Sequence, residues 1–139
     1  MSATIITVEA IIIAPIEKVW EHWTEPKYIM KWNNASDDWH TPHAANDLRV
    51  GGQFLSRMEA KDGSFGFDLI GTYTIVELHK KIAYTIADGR QVTIEFSAYG
   101  ADCKITEAFE AENINSIELQ KGGWQAILNN FKKNVEISS

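Results

Sequence analysis

The stretch Asn115-Ser116-Ile117-Glu118-Leu119-Gln120-Lys121-Gly122-Gly123-Trp124-Gln125-Ala126-Ile127-Leu128-Asn129-Asn130-Phe131-Lys132-Lys133-Asn134-Val135 decides the fold. Trp124, Ile127, Leu128, Phe131 and Val135 stand at i, i+3, i+4, i+7 and i+11, an apolar stripe down one side of an α-helix. The spacing predicts a helix from about Ser116 to Ile137. Asn115 or Ser116 can cap it, and Asn115 with Glu118 resembles a capping box. Lys132 and Lys133 suit the negative end of the helix dipole. Gly122-Gly123 is the odd feature, since each glycine costs about 1 kcal/mol against alanine inside a helix. The pair is expected to permit a kink or the close approach of another backbone.

Upstream of Asn115 the period is two. From Asp47 onward the pattern is β, with Gln53 to Ala60, Phe65 to Leu78, Lys81 to Ala87, Arg90 to Tyr99 and Asp102 to Glu112 reading as strands. Asp62-Gly63 and Asp88-Gly89 are hairpin signals, and Gly51-Gly52 a tight turn or bulge. Gly66 and Gly71 predict bends within the longest strand. Thr4 to Ile13 predicts a first strand whose end, Ile11-Ile12-Ile13, is buried on both faces. Pro15 then suits the start of a helix, in which Ile16, Val19, Trp20 and Trp23 recur at helical spacing. Tyr28, Ile29 and Trp32 mark a second short helix after Pro26. Asn33 to Asn46 lacks periodicity and is expected to be a long loop. The result is one α+β domain over residues 1–139. A curved antiparallel sheet of six or seven strands wraps around a long C-terminal helix, with two short helices after the first strand.

Composition narrows the functions. The chain has 139 residues, of which 45% are hydrophobic and 11% aromatic, with five Trp. So many large rings in a small domain need a crowded core or a cavity wall. The formal charge of −6 opposes docking on nucleic acid or on anionic membranes. The lone Cys103 excludes an intrachain disulfide, and its place in a strand makes it an inert core residue. Met1-Ser2-Ala3-Thr4 lacks the basic region of a signal peptide, and Thr4 to Ile13 is too short to span a bilayer. A cytoplasmic protein is expected.

Several segments together resemble the START-like (SRPBCC, or helix-grip) superfamily. Within it, the chain is similar to the group named for the activator of the ninety-kilodalton heat-shock chaperone's ATPase. The segments are Ala14-Pro15-Ile16-Glu17-Lys18-Val19-Trp20, Arg49-Val50-Gly51-Gly52-Gln53-Phe54, Gly71-Thr72-Tyr73, Thr106-Glu107-Ala108-Phe109-Glu110 and Gly123-Trp124-Gln125-Ala126-Ile127-Leu128. The resemblance covers nearly the whole chain. It implies a cavity between sheet and helix, as in lipid-transfer domains, hormone receptors and polyketide cyclases. It does not supply a reaction, because function resides in the site.

Three sets of residues are candidates for chemistry. Trp32, Trp39, Tyr73, Tyr84, Phe109 and Trp124, with Leu128, are expected to converge on one interior and to line a ligand cage. Glu107 shares a strand face with Cys103, Ile105 and Phe109, so its carboxyl is expected inside the cavity as a candidate general acid or base. Asp68 and Glu95 alternate away from their apolar neighbours, and one of them is expected to face a polar cavity unless Arg57 or Arg90 pairs with it; Asp68 is a second acid/base candidate. The segment Asp37-Asp38-Trp39-His40-Thr41-Pro42-His43 carries metal-ligand types, but its spacing is unspecific and no metal or other cofactor is expected. Trp39 and His40 are instead expected at the pocket rim, with His40 a further acid/base candidate. Ser56, Ser64 and Ser97 lack a nucleophile elbow, and Gly51-Gly52 lacks the residues of a phosphate loop. Three functions fit: binding of a small hydrophobic or aromatic molecule, a cyclase-, dehydratase- or hydrolase-type enzyme, or an interaction domain for a chaperone or a second copy of the chain.

Overall fold

The computed structural model describes residues 4–137. Residues 1–3, on which part of the expectation of no leader rests, and residues 138–139 lie outside the described residues. The elements are β1 (Ile5–Ile12), α1 (Ile16–Thr24), α2 (Pro26–Trp32), β2 (Trp39–Asn46), β3 (Gln53–Ala60), β4 (Gly66–Glu77), β5 (Lys81–Ile86), β6 (Gln91–Tyr99), β7 (Asp102–Glu110) and α3 (Ile117–Ile137). The strands form one curled antiparallel sheet in the order β1-β7-β6-β5-β4-β3-β2. β1 and β2 lie at opposite edges, so α1 and α2 carry the chain from one edge to the other.

Alternation sets the inner face. Cys103, Ile105, Glu107 and Phe109 on β7 are buried, as are Val92, Ile94 and Phe96 on β6 and Ile6, Val8 and Ile12 on β1. Leu128, Phe131 and Val135 of α3 complete this core and are almost fully buried. Ile11 and Ile13 were expected to be buried, yet they are 39% and 66% exposed. β1 is an edge strand with only one covered face, so its period of two wins over its hydrophobicity.

The segment expected as a loop is half strand. Trp39–Asn46 pairs with β3 through a register shift between His40 and His43. Pro42 sits in that irregularity on an edge strand, where a missing N–H costs no ladder bond. Gly71 marks no bend; the irregularity in β4 falls between Tyr73 and Ile75. Gly71 instead makes room for a ring. A Cβ there would stand 2.3 Å from Cε2 of Phe54, its cross-strand partner.

α3 is tied down along its length. The Ser116 hydroxyl accepts the Leu119 N–H at 3.1 Å, so Ser116 is the cap and Asn115 is not. The Asn130 amide donates to the Trp32 carbonyl at 2.8 Å. Lys132 donates to the Ile11 carbonyl at 2.7 Å and pairs with Glu136, which accepts the Ile13 N–H at 2.9 Å. Lys132 therefore fastens the helix to β1 rather than answering the dipole.

Gly122 and Gly123 lie inside continuous helix, and a Cβ on either meets nothing within 4 Å. No backbone approaches them, contrary to expectation. Gly122→Ala should therefore raise stability by about 1 kcal/mol through backbone entropy. Urea unfolding of the variant checks this, and a loss of stability would contradict it.

Candidate functional site

Between α1, α2, α3 and strands β3, β4, β5 and β7 lies a cavity of about 120 Å³. The helices contribute Trp23, Ile29, Trp32, Trp124 and Ile127, and the sheet contributes Phe54, Ser56, Met58, Leu69, Tyr73, Ile82, Tyr84 and Glu107. A solvent-open hollow of about 280 Å³ lies on the other side of Trp124 and Ile127, bounded by Ala35, Arg90, Glu112 and Leu119.

The walls are fixed by stacking and edge contacts. Trp124 lies flat on Phe109, with ring centroids 3.7 Å apart and planes 10° from parallel. Phe131 meets Trp23 and Trp32 edge-on at 4.9 Å each. Phe54 packs edge-on against Tyr84 at 4.7 Å. The Trp32 indole N–H is spent on the His22 carbonyl at 2.8 Å. The Tyr73 hydroxyl donates to Asn46 Oδ1 at 2.5 Å, and the Asn46 amide donates to the Thr24 carbonyl at 2.7 Å. This relay joins the sheet to the end of α1. Burial pushes the Tyr73 and Tyr84 phenols up, so both are neutral at physiological pH.

Glu107 stands out. Its cross-strand neighbours are Val8 and Ile94, and Ile94 in turn faces Ile82, so a carboxyl interrupts an apolar row. It is 6% exposed and lines the cavity. No residue among those described makes a hydrogen bond or ion pair with it. Burial alone pushes its carboxyl up to about 8, so it is largely protonated at neutral pH.

The expected site residues divide. Trp32, Tyr73, Tyr84, Trp124 and Glu107 come together around the cavity. Phe109 and Leu128 lie behind the wall, 1% exposed and packed in the core. Trp39 pairs with Ala60 and packs against Phe65 and Phe67, at 6.0 and 6.2 Å, rather than lining the cavity. His40 and Asp68, expected near the chemistry, face away from it. His40 pairs in register with Glu59, 3.7 Å from its carboxylate, and Asp68 lies 3.4 Å from Arg57. Glu95 is exposed on β6. Asp68 and Glu95 alternate with Leu69 and Ile94, which point inward, so the period of their strands turns them out, and His40 lies opposite Glu59, which alternates with the inward Met58. Trp23, Ile29, Phe54, Ser56, Met58, Leu69, Ile82 and Ile127 line the cavity without having been singled out. Phe54, Ser56 and Met58 alternate along one strand, and that signal could have found them.

Cys103 is fully buried and its thiol is pushed up to about 11, consistent with a core residue. Among the described residues, no group of three His, Cys, Asp or Glu side chains could hold a metal ion, and no helix is long and apolar enough to cross a membrane.

A curled antiparallel sheet gripping a C-terminal helix over a cavity defines the START-like, helix-grip class. Comparison with known proteins gives the family. A family profile described as Activator of Hsp90 ATPase homolog 1-like protein matches residues 13–136, and the chain belongs to that family. The solution structure of the AHSA1-like protein from Aeromonas hydrophila is 44% identical, covers 97% of this chain and 94% of its own, and superposes with a TM-score of 0.91. A solution structure from Cytophaga hutchinsonii is 53% identical over 92% of this chain and 89% of its own, with a TM-score of 0.82. A crystal structure from Nitrosomonas europaea, 18% identical over 96% of this chain and 94% of its own, shows the same fold with a TM-score of 0.82. No functionally curated protein matches the chain.

Proposed function

We propose that the protein binds a small, predominantly apolar organic molecule in the cavity between the sheet and α3. The observation that carries this reading is the cavity itself, about 120 Å³ of space walled by aromatic and aliphatic side chains in an otherwise close-packed interior. An engineered dry cavity of about 150 Å³ in another protein takes up benzene, so the volume suits a single ring or a short chain. Glu107 is the one cavity group placed to titrate near neutrality. The other acid/base candidates, His40 and Asp68, lie on the other face of the sheet, so Glu107 has no second titrating group to act with in the cavity. Binding without turnover is therefore favoured over catalysis.

Trp23, Trp32 and Trp124 line the cavity, so occupancy should change tryptophan emission saturably and raise the melting temperature. Ser56 is buried and faces the cavity. Ser56→Leu should fill that space, abolish the response and leave the fold at least as stable. A screen of single-ring and short-chain compounds by emission and thermal shift, on both forms, checks this. If no compound gives a saturable response, or if the response survives in Ser56→Leu, the cavity is not the site.

A further inference from the structure

The cavity has an electrostatic character that its apolar walls conceal. None of its lining residues is a Lys, Arg or His, and its one ionisable carboxyl, Glu107, 6% exposed, opens on the cavity and makes no hydrogen bond or ion pair among the described residues. A carboxylate or phosphate ligand would find no counter-charge there and would face an acid. A neutral ligand gains only a hydrogen bond, which the Tyr84 hydroxyl could supply without the cost of burying an acid. Only a cation recovers the ionisation that burial suppresses in Glu107. The surrounding rings reinforce this choice. Trp23, Trp32, Phe54, Tyr73, Tyr84 and Trp124 present π-faces and edges to one small space, and aromatic faces attract ammonium groups.

We propose that the ligand is a small organic amine, its ammonium group seated against Glu107 and its hydrocarbon portion among the cavity's aromatic rings. This rests on the cavity being the binding site and adds the class of molecule that fills it. Binding has a defined proton balance. The amine enters as its ammonium form, Glu107 releases its proton to solvent, and the ion pair forms without any covalent step.

The titratable groups facing Glu107 are few. Tyr84 on β5 and Tyr73 on β4 stay neutral, and Arg90 in the β5–β6 turn acts on Tyr84. The three helices present no titratable side chain to the cavity, and the strand neighbours are Val8 and Ile94. Below about pH 8 each bound amine must therefore displace a proton from Glu107.

The probes are benzylamine, benzyl alcohol and toluene, titrated calorimetrically at pH 6, 7 and 8. An alkylammonium stays protonated over this range. Benzylamine affinity should then rise about fifty-fold from pH 6 to pH 8, with release of about one proton per ligand at pH 6. Toluene affinity should not change with pH. Glu107→Gln should abolish both the pH dependence and the preference for benzylamine while keeping toluene binding. The proposal is overturned if toluene binds but benzylamine is no tighter than benzyl alcohol at pH 8. It is equally overturned if the preference for amine survives in Glu107→Gln. Failure of all three probes would instead remove the cavity as a binding site, and this inference with it.

Discussion

Glu107→Gln should stabilise the protein strongly in alkaline solution and hardly at all in mild acid. The Glu107 carboxyl is raised from 4.5 to about 8 by burial, and among the described residues no hydrogen bond or ion pair offsets the loss of water. A raised acid contributes its full stability below its unfolded value and loses it as pH climbs through its folded value. Near pH 5 the native carboxyl is neutral, and the amide should behave much as it does. Between pH 5 and pH 8 the wild type should lose ground to the variant by about 1.4 kcal/mol per pH unit. By pH 9 the gap should approach about 5 kcal/mol, a large part of a small domain's stability. Asp88 and Glu136 are lowered by their partners Arg90 and Lys132, and their contribution is lost only in acid. They are common to both proteins and cancel in the difference. Urea unfolding of both forms at pH 5, 7 and 9 measures the gap directly. Midpoints that stay parallel across this range would show that Glu107 is not buried without a partner. A protein that keeps such a residue carries a stability cost at neutral pH, and a ligand able to pair with the carboxylate would remove that cost. The pH dependence of stability and that of amine binding therefore have one physical source.

The fold was legible because two periods change at one place. Cys103, Ile105, Glu107 and Phe109 alternate on a strand, and fifteen residues after Phe109 the set Trp124, Ile127, Leu128 and Phe131 begins to repeat at helical spacing. Both sets are found on the faces that their periods assign. The same alternation put Glu107 inside, and it already pointed Asp68 away from Phe67 and Leu69. His40 was illegible for a different reason. Its strand contains Pro42 and a register shift, so no period was available to say which way the imidazole faces. Sequence also cannot separate a residue that touches empty space from one that touches a neighbour. Phe109 and Trp124 both read as inward aromatics, but Trp124 lines the cavity and Phe109 supports it from behind. That distinction depends on how three helices settle on the sheet, which is a matter of packing rather than pattern. Gly122-Gly123 shows the limit of reading a local rule alone. Glycine in a helix implied a close contact, and the structure has open space there.

Phe131→Ala should be the most damaging single truncation in the helical layer, costing about 3–5 kcal/mol. Phe131 is fully buried on α3, and its ring is the common neighbour of Trp23 from α1 and Trp32 from α2. Those two indoles are themselves 5.0 Å apart, so three helices meet on three rings. Removing the middle ring leaves a hole that large, stacked side chains cannot easily fill, and edge-to-face contacts are lost along with the buried area. Trp23 and Trp32 also form part of the cavity wall. The new space is therefore expected to join the existing cavity, loosening its wall as well as its support. Leu128→Ala, on the same helix and equally buried but no part of the Trp23–Trp32–Phe131 ring cluster, is the comparison; it should cost about 2–5 kcal/mol. The measurements are urea unfolding of both variants and their tryptophan emission with and without toluene. Phe131→Ala should shift the emission of the free protein, and it should accept larger rings than the wild type does. Leu128→Ala should leave the indole environment close to native. Equal emission spectra in the two variants would show that Phe131 fills volume without organising the aromatic wall.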